Sequence, residues 1–132
     1  DPSDANVALV SKLNPLGTLP IFITSEGNQL DQNLAIHTYI AEKSTSKELL
    51  PALGTAERAE AMNWLSFVAA DLHKSVGALW GLPAFSGDKH VQAAVRENML
   101  TRAHEVLRYL DEKLAGKDYL VGRKFTPADA YA

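Results

Sequence analysis

The sequence predicts an α+β chain that is mostly helical: a short β-hairpin and one helix, followed by a part made of helices alone. Three observations carry this. The run Pro20-Ile-Phe-Ile-Thr24, apolar, β-branched and aromatic, leads into Glu26-Gly27-Asn28, which is the composition of a strand entering a hairpin turn. Two later stretches, near 55–80 and 89–114, repeat apolar residues at helical spacing. With 132 residues, 46% of them apolar and 22% charged, the chain can bury a globular core.

Residues 1–13 are polar and then briefly apolar, with no clear cap, and are left unassigned. The segment "NPLGTLP", Asn14 to Pro20, is a turn rich in Pro and Gly. Pro20 stands at the mouth of a strand, where its missing N–H costs a ladder hydrogen bond. An ordinary trans proline would serve structure alone, whereas a cis bond would leave the neighbouring main chain free for a ligand. Gln29-Leu30 is the returning strand. Asp31 is placed to cap a helix whose stripe is Leu34, Ile36, Tyr39 and Ile40. A two-stranded hairpin with one helix is too small to stand alone, so a preceding N-terminal segment, another chain or the long helices are expected to complete it.

The loop at 44–55, with Pro51 and Gly54, is the expected domain boundary, dividing 1–45 from 55–132. Thr55 caps the next helix, with Glu57 and Arg58 in its first turn. Its stripe is Ala61, Leu65, Val68, Leu72, Val76 and Leu79; Gly81, Pro83 and Gly87 punctuate its end. A third helix over 89–114 carries Val91, Val95, Met99, Ala103, Val106, Leu110 and Leu114, with Gly116 suited to its C-terminus. Near the end, Thr126 is an N-cap, Pro127 sits at N1, Asp129 at N3, and Phe125 is placed as a hydrophobic staple. One turn cannot repay helix nucleation, so this helix is expected to belong to a longer chain.

Composition narrows the function classes. A net charge of −3 offers no basic face to recruit nucleic acid. With no cysteine, these residues hold no disulfide framework, thiolate zinc site or cysteine nucleophile, which fits a reducing compartment. No apolar run reaches 18 residues, so no membrane span is expected. The opening "DPSDANVAL" has no basic-then-apolar leader pattern. His37, His90 and His104 share no ligand spacing, so no metal site is expected. Trp64 and Trp80 are expected in core or interface, with an apolar co-substrate pocket as the alternative.

The segments "NPLGTLP" at 14–20, "LDQNLAIHTYIAE" at 30–42, "WLSFVAADLHK" at 64–74 and "GRKFTPADAYA" at 122–132 occur in an order that resembles the glutathione transferase superfamily, in particular bacterial beta-class-like members. The resemblance implies the second half of a thioredoxin-like, glutathione-binding domain over 1–45, followed by part of an all-helical C-terminal-type domain over 55–132. The family's opening strand–helix–strand unit, which carries the residue nearest the glutathione sulfur, has no counterpart in these residues. Neither do the later helices.

What the resemblance implies for residues is specific. Leu19, before a cis Pro20, would pair its main chain with the cysteinyl backbone of glutathione, as an added strand would. Gln32 and Asn33, at a helix start, would receive the γ-glutamyl carboxylate; Asn33 stands where the family more often has Ser. Capping alone would also explain both residues. His73 and Lys74, in "LHK", would act on the thiol, His73 by hydrogen bonding or ionising it and Lys74 by steadying the thiolate. The bland alternative is a helix histidine beside a solvated lysine. Thr126 and Asp129 are assigned to folding. The implied activity is attack of glutathione, the co-substrate, on a small electrophilic apolar molecule, in a cytoplasmic homodimer with a role in detoxification. Neighbouring readings are a glutathione-dependent disulfide reductase and a non-catalytic regulatory protein on the same fold.

Overall fold

The computed structural model describes residues 4–45 and 48–132, in two compact units, Asp1–Lys47 and Glu48–Ala132. In the first unit, helix α1 spans Asp4–Leu13, a stretch to which sequence reading assigns no element. The helix leaves Val7 and Leu9 exposed, so it lacks the buried apolar stripe by which sequence reading finds helices. The strands are shorter than the apolar run suggests: β1 is Phe22–Ile23 and β2 is Gln29–Leu30. They pair antiparallel, with Phe22 opposite Leu30 and Ile23 opposite Gln29. Pro20 has no N–H to extend the ladder, and the Leu19–Pro20 bond is cis.

The hairpin turn is closed by main-chain bonds from Thr24 N–H to the Asn28 carbonyl (2.9 Å) and from Gly27 N–H to the Thr24 carbonyl (3.0 Å). Gly27 takes φ +84°, a conformation that suits glycine. Helix α2 runs Asn33–Lys43 and buries Ile36 and Ala41. Its N-cap is Gln32 rather than Asp31, so the helix begins later than expected. Ile40, expected in the stripe, is exposed and Ala41 lies inside in its place.

In the second unit, α3 spans Ala56–Phe67, and the Thr55 hydroxyl accepts from the Arg58 N–H at 3.2 Å. The helical path does not continue as one regular α-helix to residue 80. A π turn occupies Val68–Leu72, and α4 follows over His73–Gly77. Ala61, Leu65, Val68 and Leu72 of the expected stripe are all buried. A four-residue helix, α5, follows at Leu82–Phe85.

Helix α6 spans Lys89–Leu114, with Asp88 as N-cap accepting from the His90 N–H at 2.7 Å. Only Ala103 and Val106 of its stripe are fully buried, and Val91 is exposed. Gln92, Val95 and Met99 of its first half are half-buried, and its middle builds a core with Val68 and Leu72. Gly116, just past its end, has φ +71°, the left-handed closing position. Trp64, only 5% exposed, meets Phe67 edge-on at 5.4 Å. Trp80 is 74% exposed and lies outside any core.

The last helix, α7, is Pro127–Tyr131. The Asp129 carboxylate organises its start. It accepts from the Thr126 N–H (2.7 Å), the Thr126 hydroxyl (2.9 Å) and, across the preceding loop, the Leu120 N–H (2.7 Å). Phe125, placed by sequence as a staple, is half exposed and turns its ring edge-on to Tyr119 at 6.2 Å. No helix among the described residues is long and apolar enough to cross a membrane.

Candidate functional site

The loop from α1 to β1 is held by one buried amide. Asn14, 3% exposed, donates from Nδ2 to the Thr18 carbonyl (3.0 Å) and the Thr18 hydroxyl (2.9 Å), and its Oδ1 accepts from the Leu16 N–H (3.0 Å). Gly17, at φ +66°, donates its N–H to the Asn14 carbonyl at 2.8 Å. Gln29 of β2 ties the base of this loop to α1 through Nε2 and the Leu13 carbonyl, 2.9 Å apart. These bonds hold the turn together, and Leu19 lies at the surface, 71% exposed. Among the described residues, the Leu19 N–H and C=O have no hydrogen-bond partner. Leu19 also borders a groove of about 530 Å³ whose other wall includes Val7, Leu9 and Val10 of α1.

Gln32 and Asn33 stand at the start of α2, in the same unit. The Gln32 side chain is exposed and makes no capping hydrogen bond to the helix. Ile36 donates the first main-chain helical bond, to the Gln32 carbonyl at 3.0 Å. The N–H groups of Leu34 and Ala35 thus point out of an uncapped helix end, where the helix dipole favours an anion.

The hairpin turn is also paired with α2 through polar side chains. The Glu26 carboxylate accepts from the Tyr39 hydroxyl (2.7 Å) and from Lys43 Nζ (3.0 Å). Chiefly the Tyr39 bond, and next the Lys43 bond, lower its pKa to about 2, and the same pairing raises that of Lys43. This links the hairpin turn to α2. His37, half-buried on α2, is held below the ordinary imidazole value by desolvation.

In the second unit, His73 and Lys74 open α4, directly after the π turn, and both side chains are exposed. The His73 N–H closes the π turn on the Val68 carbonyl. Its imidazole faces the ring of Tyr131, with centroids 6.3 Å apart and planes at 36°. An apolar cavity of about 290 Å³ lies elsewhere in this unit, among Leu49, Leu50, Pro51, Val121 and Phe125; no sequence-predicted site residue lines it.

The structure thus groups Leu19, Pro20, Gln32 and Asn33 in one unit and His73 with Lys74 in the other. Sequence reading missed Asn14 and Tyr131. Asn before Pro in a turn is a signal for side-chain bonding to the following main chain, so Asn14 was findable. Tyr131 was not, because its neighbour His73 lies far away along the chain.

Comparison with known proteins bears on both units. The family described as glutathione S-transferase, C-terminal domain, matches residues 74–132. A glutathione S-transferase, GST-4.5, of Xanthomonas campestris is 35% identical over 121 residues, covering 91% of this chain and 58% of that protein. GstA of Escherichia coli O157:H7 is 28% identical over 119 residues, covering 90% and 56%. A sphingomonad glutathione S-transferase solved in complex with glutathione superposes with a TM-score of 0.73 at 31% identity, over 92% of this chain and 57% of that one. The chain spans a little over half the length of these relatives. Residues 74–132 thus match the glutathione S-transferase C-terminal domain family, and the similarity to glutathione S-transferases runs through both units.

Proposed function

We propose that the chain is the glutathione-binding and thiol-handling part of a glutathione transferase, which joins the glutathione thiolate to small electrophilic apolar molecules. In this reading 1–45 is a partial thioredoxin-like domain and 55–132 a partial all-helical domain. One observation carries it: the exposed, unpaired main chain of Leu19 and the uncapped start of α2 lie in the same small unit. A tripeptide with an anionic γ-glutamyl end needs both. Leu19 supplies a donor and an acceptor to the cysteinyl backbone, as an added strand would. The α2 N–H groups take the carboxylate, and the Gln32 amide can donate to it. His73 supplies an imidazole that can hydrogen-bond or deprotonate the thiol, and Lys74 a positive charge that favours the thiolate. Rate would come from the larger thiolate fraction and from holding both substrates together. A cytoplasmic homodimer with a detoxifying role belongs to the same reading.

Titration calorimetry with reduced glutathione tests the binding half. Gln32→Leu should weaken binding about tenfold, the loss of one hydrogen bond to a charged group. Unchanged affinity would remove Gln32 from the site, and no binding by the parent protein would remove glutathione. A conjugation assay with an activated aryl chloride then separates the transferase from the rival classes: binding without turnover would favour the non-catalytic reading.

A further inference from the structure

We infer that Tyr131 is a positioning residue for His73, an inference that rests on the proposed role of His73 at the thiol. An exposed histidine at the start of a short helix has several rotamers open to it. Among the described residues, the His73 side chain makes no hydrogen bond or ion pair that would select one. One feature of its surroundings does select. The Tyr131 ring faces the imidazole, with centroids 6.3 Å apart, within the range of aromatic contacts. The imidazole is therefore backed on one side by the Tyr131 ring.

Tyr131 is itself anchored. It is half-buried and packs against Val68, Leu72 and Val106. It stands on α7, whose start is pinned by the three hydrogen bonds to Asp129. The π turn matters on the other side of the contact. It inserts one residue ahead of His73, which turns the following side chains by roughly 100° relative to a regular α-helix. Val68 and Leu72, the ends of that turn, are the same side chains that support Tyr131. One apolar cluster thus sets both rings, and the helix start at Thr126–Asp129 contributes to the aim of an imidazole distant in sequence.

The test compares Tyr131→Leu, which keeps apolar bulk but removes the ring, with Tyr131→Phe, which keeps the ring. In steady-state conjugation, Tyr131→Leu should lower kcat about threefold to tenfold, the weight of one aromatic contact, and leave the KM for glutathione nearly unchanged. Tyr131→Phe should restore most of the loss. In a His73→Ala background, Tyr131→Leu should lower kcat no further. Additive losses in that double variant would overturn the inference and make Tyr131 merely structural. Wild-type turnover in His73→Ala would overturn the thiol role of His73, and the positioning role with it. Loss in His73→Ala but not in Tyr131→Leu would overturn the positioning role alone. A readout independent of turnover is the pair of His73 imidazole C–H resonances. They should move in Tyr131→Leu as the ring current disappears, and unchanged shifts would also overturn the contact.

Discussion

The two units are stabilised by different means. Glu48–Ala132 is built on burial: Ala61, Leu65 and Ala128 are fully enclosed, and Val68, Leu72, Ala103, Val106 and Leu120 are nearly so. Asp1–Lys47 buries few large side chains beyond Ile36 and depends on directed bonds. Asn14 makes three side-chain hydrogen bonds within its own turn, Thr24 closes the hairpin, and Glu26 joins that turn to α2 through Tyr39 and Lys43. Apolar burial is non-directional and adds up over area, so it suits a scaffold. Hydrogen bonds fix distances and angles, so they suit a turn that holds Leu19 at the surface.

The largest effect should come from the scaffold. Leu65→Ala removes a side chain with no exposed surface and should lower unfolding free energy by about 3 kcal/mol, seen as a lower midpoint in denaturant titration. A loss below about 1 kcal/mol would mean that the core collapses around the gap. Asn14→Ala tests the other principle. It removes a buried amide and leaves the Thr18 carbonyl and Leu16 N–H without their partner, which should cost about 2 kcal/mol. It should also raise hydrogen-exchange rates through 14–20 while leaving α3 and α6 protected. Uniform loss of protection in both units would refute the contrast drawn between them.

The smallest effect belongs to Glu26. Its carboxyl, lowered to about 2 from 4.5, contributes stability that is present above pH 4.5 and lost as pH falls towards 2. Both it and Lys43 are half exposed, so solvent screens the pair and the effect is modest. Glu26→Gln should flatten the pH dependence of the melting temperature within that window and change it little at neutral pH. A profile that is as steep as the parent's would assign the acid sensitivity to other carboxylates.

These contrasts also sort what could be read without coordinates. Thr55, Gly116 and the Thr126–Asp129 pair were legible because capping is decided within one turn of chain. The stripe Ala61, Leu65, Val68, Leu72 was legible because helical period and burial coincide over that stretch. Helix α1 was not, since its apolar residues face outward and give no pattern. Val91, Val95 and Met99 fit the period of α6 as well as Val106 does, but period says only which face a residue is on, and only a packed neighbour makes that face a core.

For the candidate site, the residue types that could meet a peptide backbone, an anion and a thiol were present in the sequence as Leu19, Gln32, Asn33, His73 and Lys74. The resemblance to glutathione transferases singled them out, through short motifs that are each contiguous in the chain. Tertiary structure alone decided that the Leu19 main chain is unpaired, that Gln32 rather than Asp31 begins α2, that a π turn precedes His73, and that the ring of Tyr131 stands beside it. The last of these depends on a contact between segments distant in sequence, and the energy of such a contact appears only when folding brings both partners to one place.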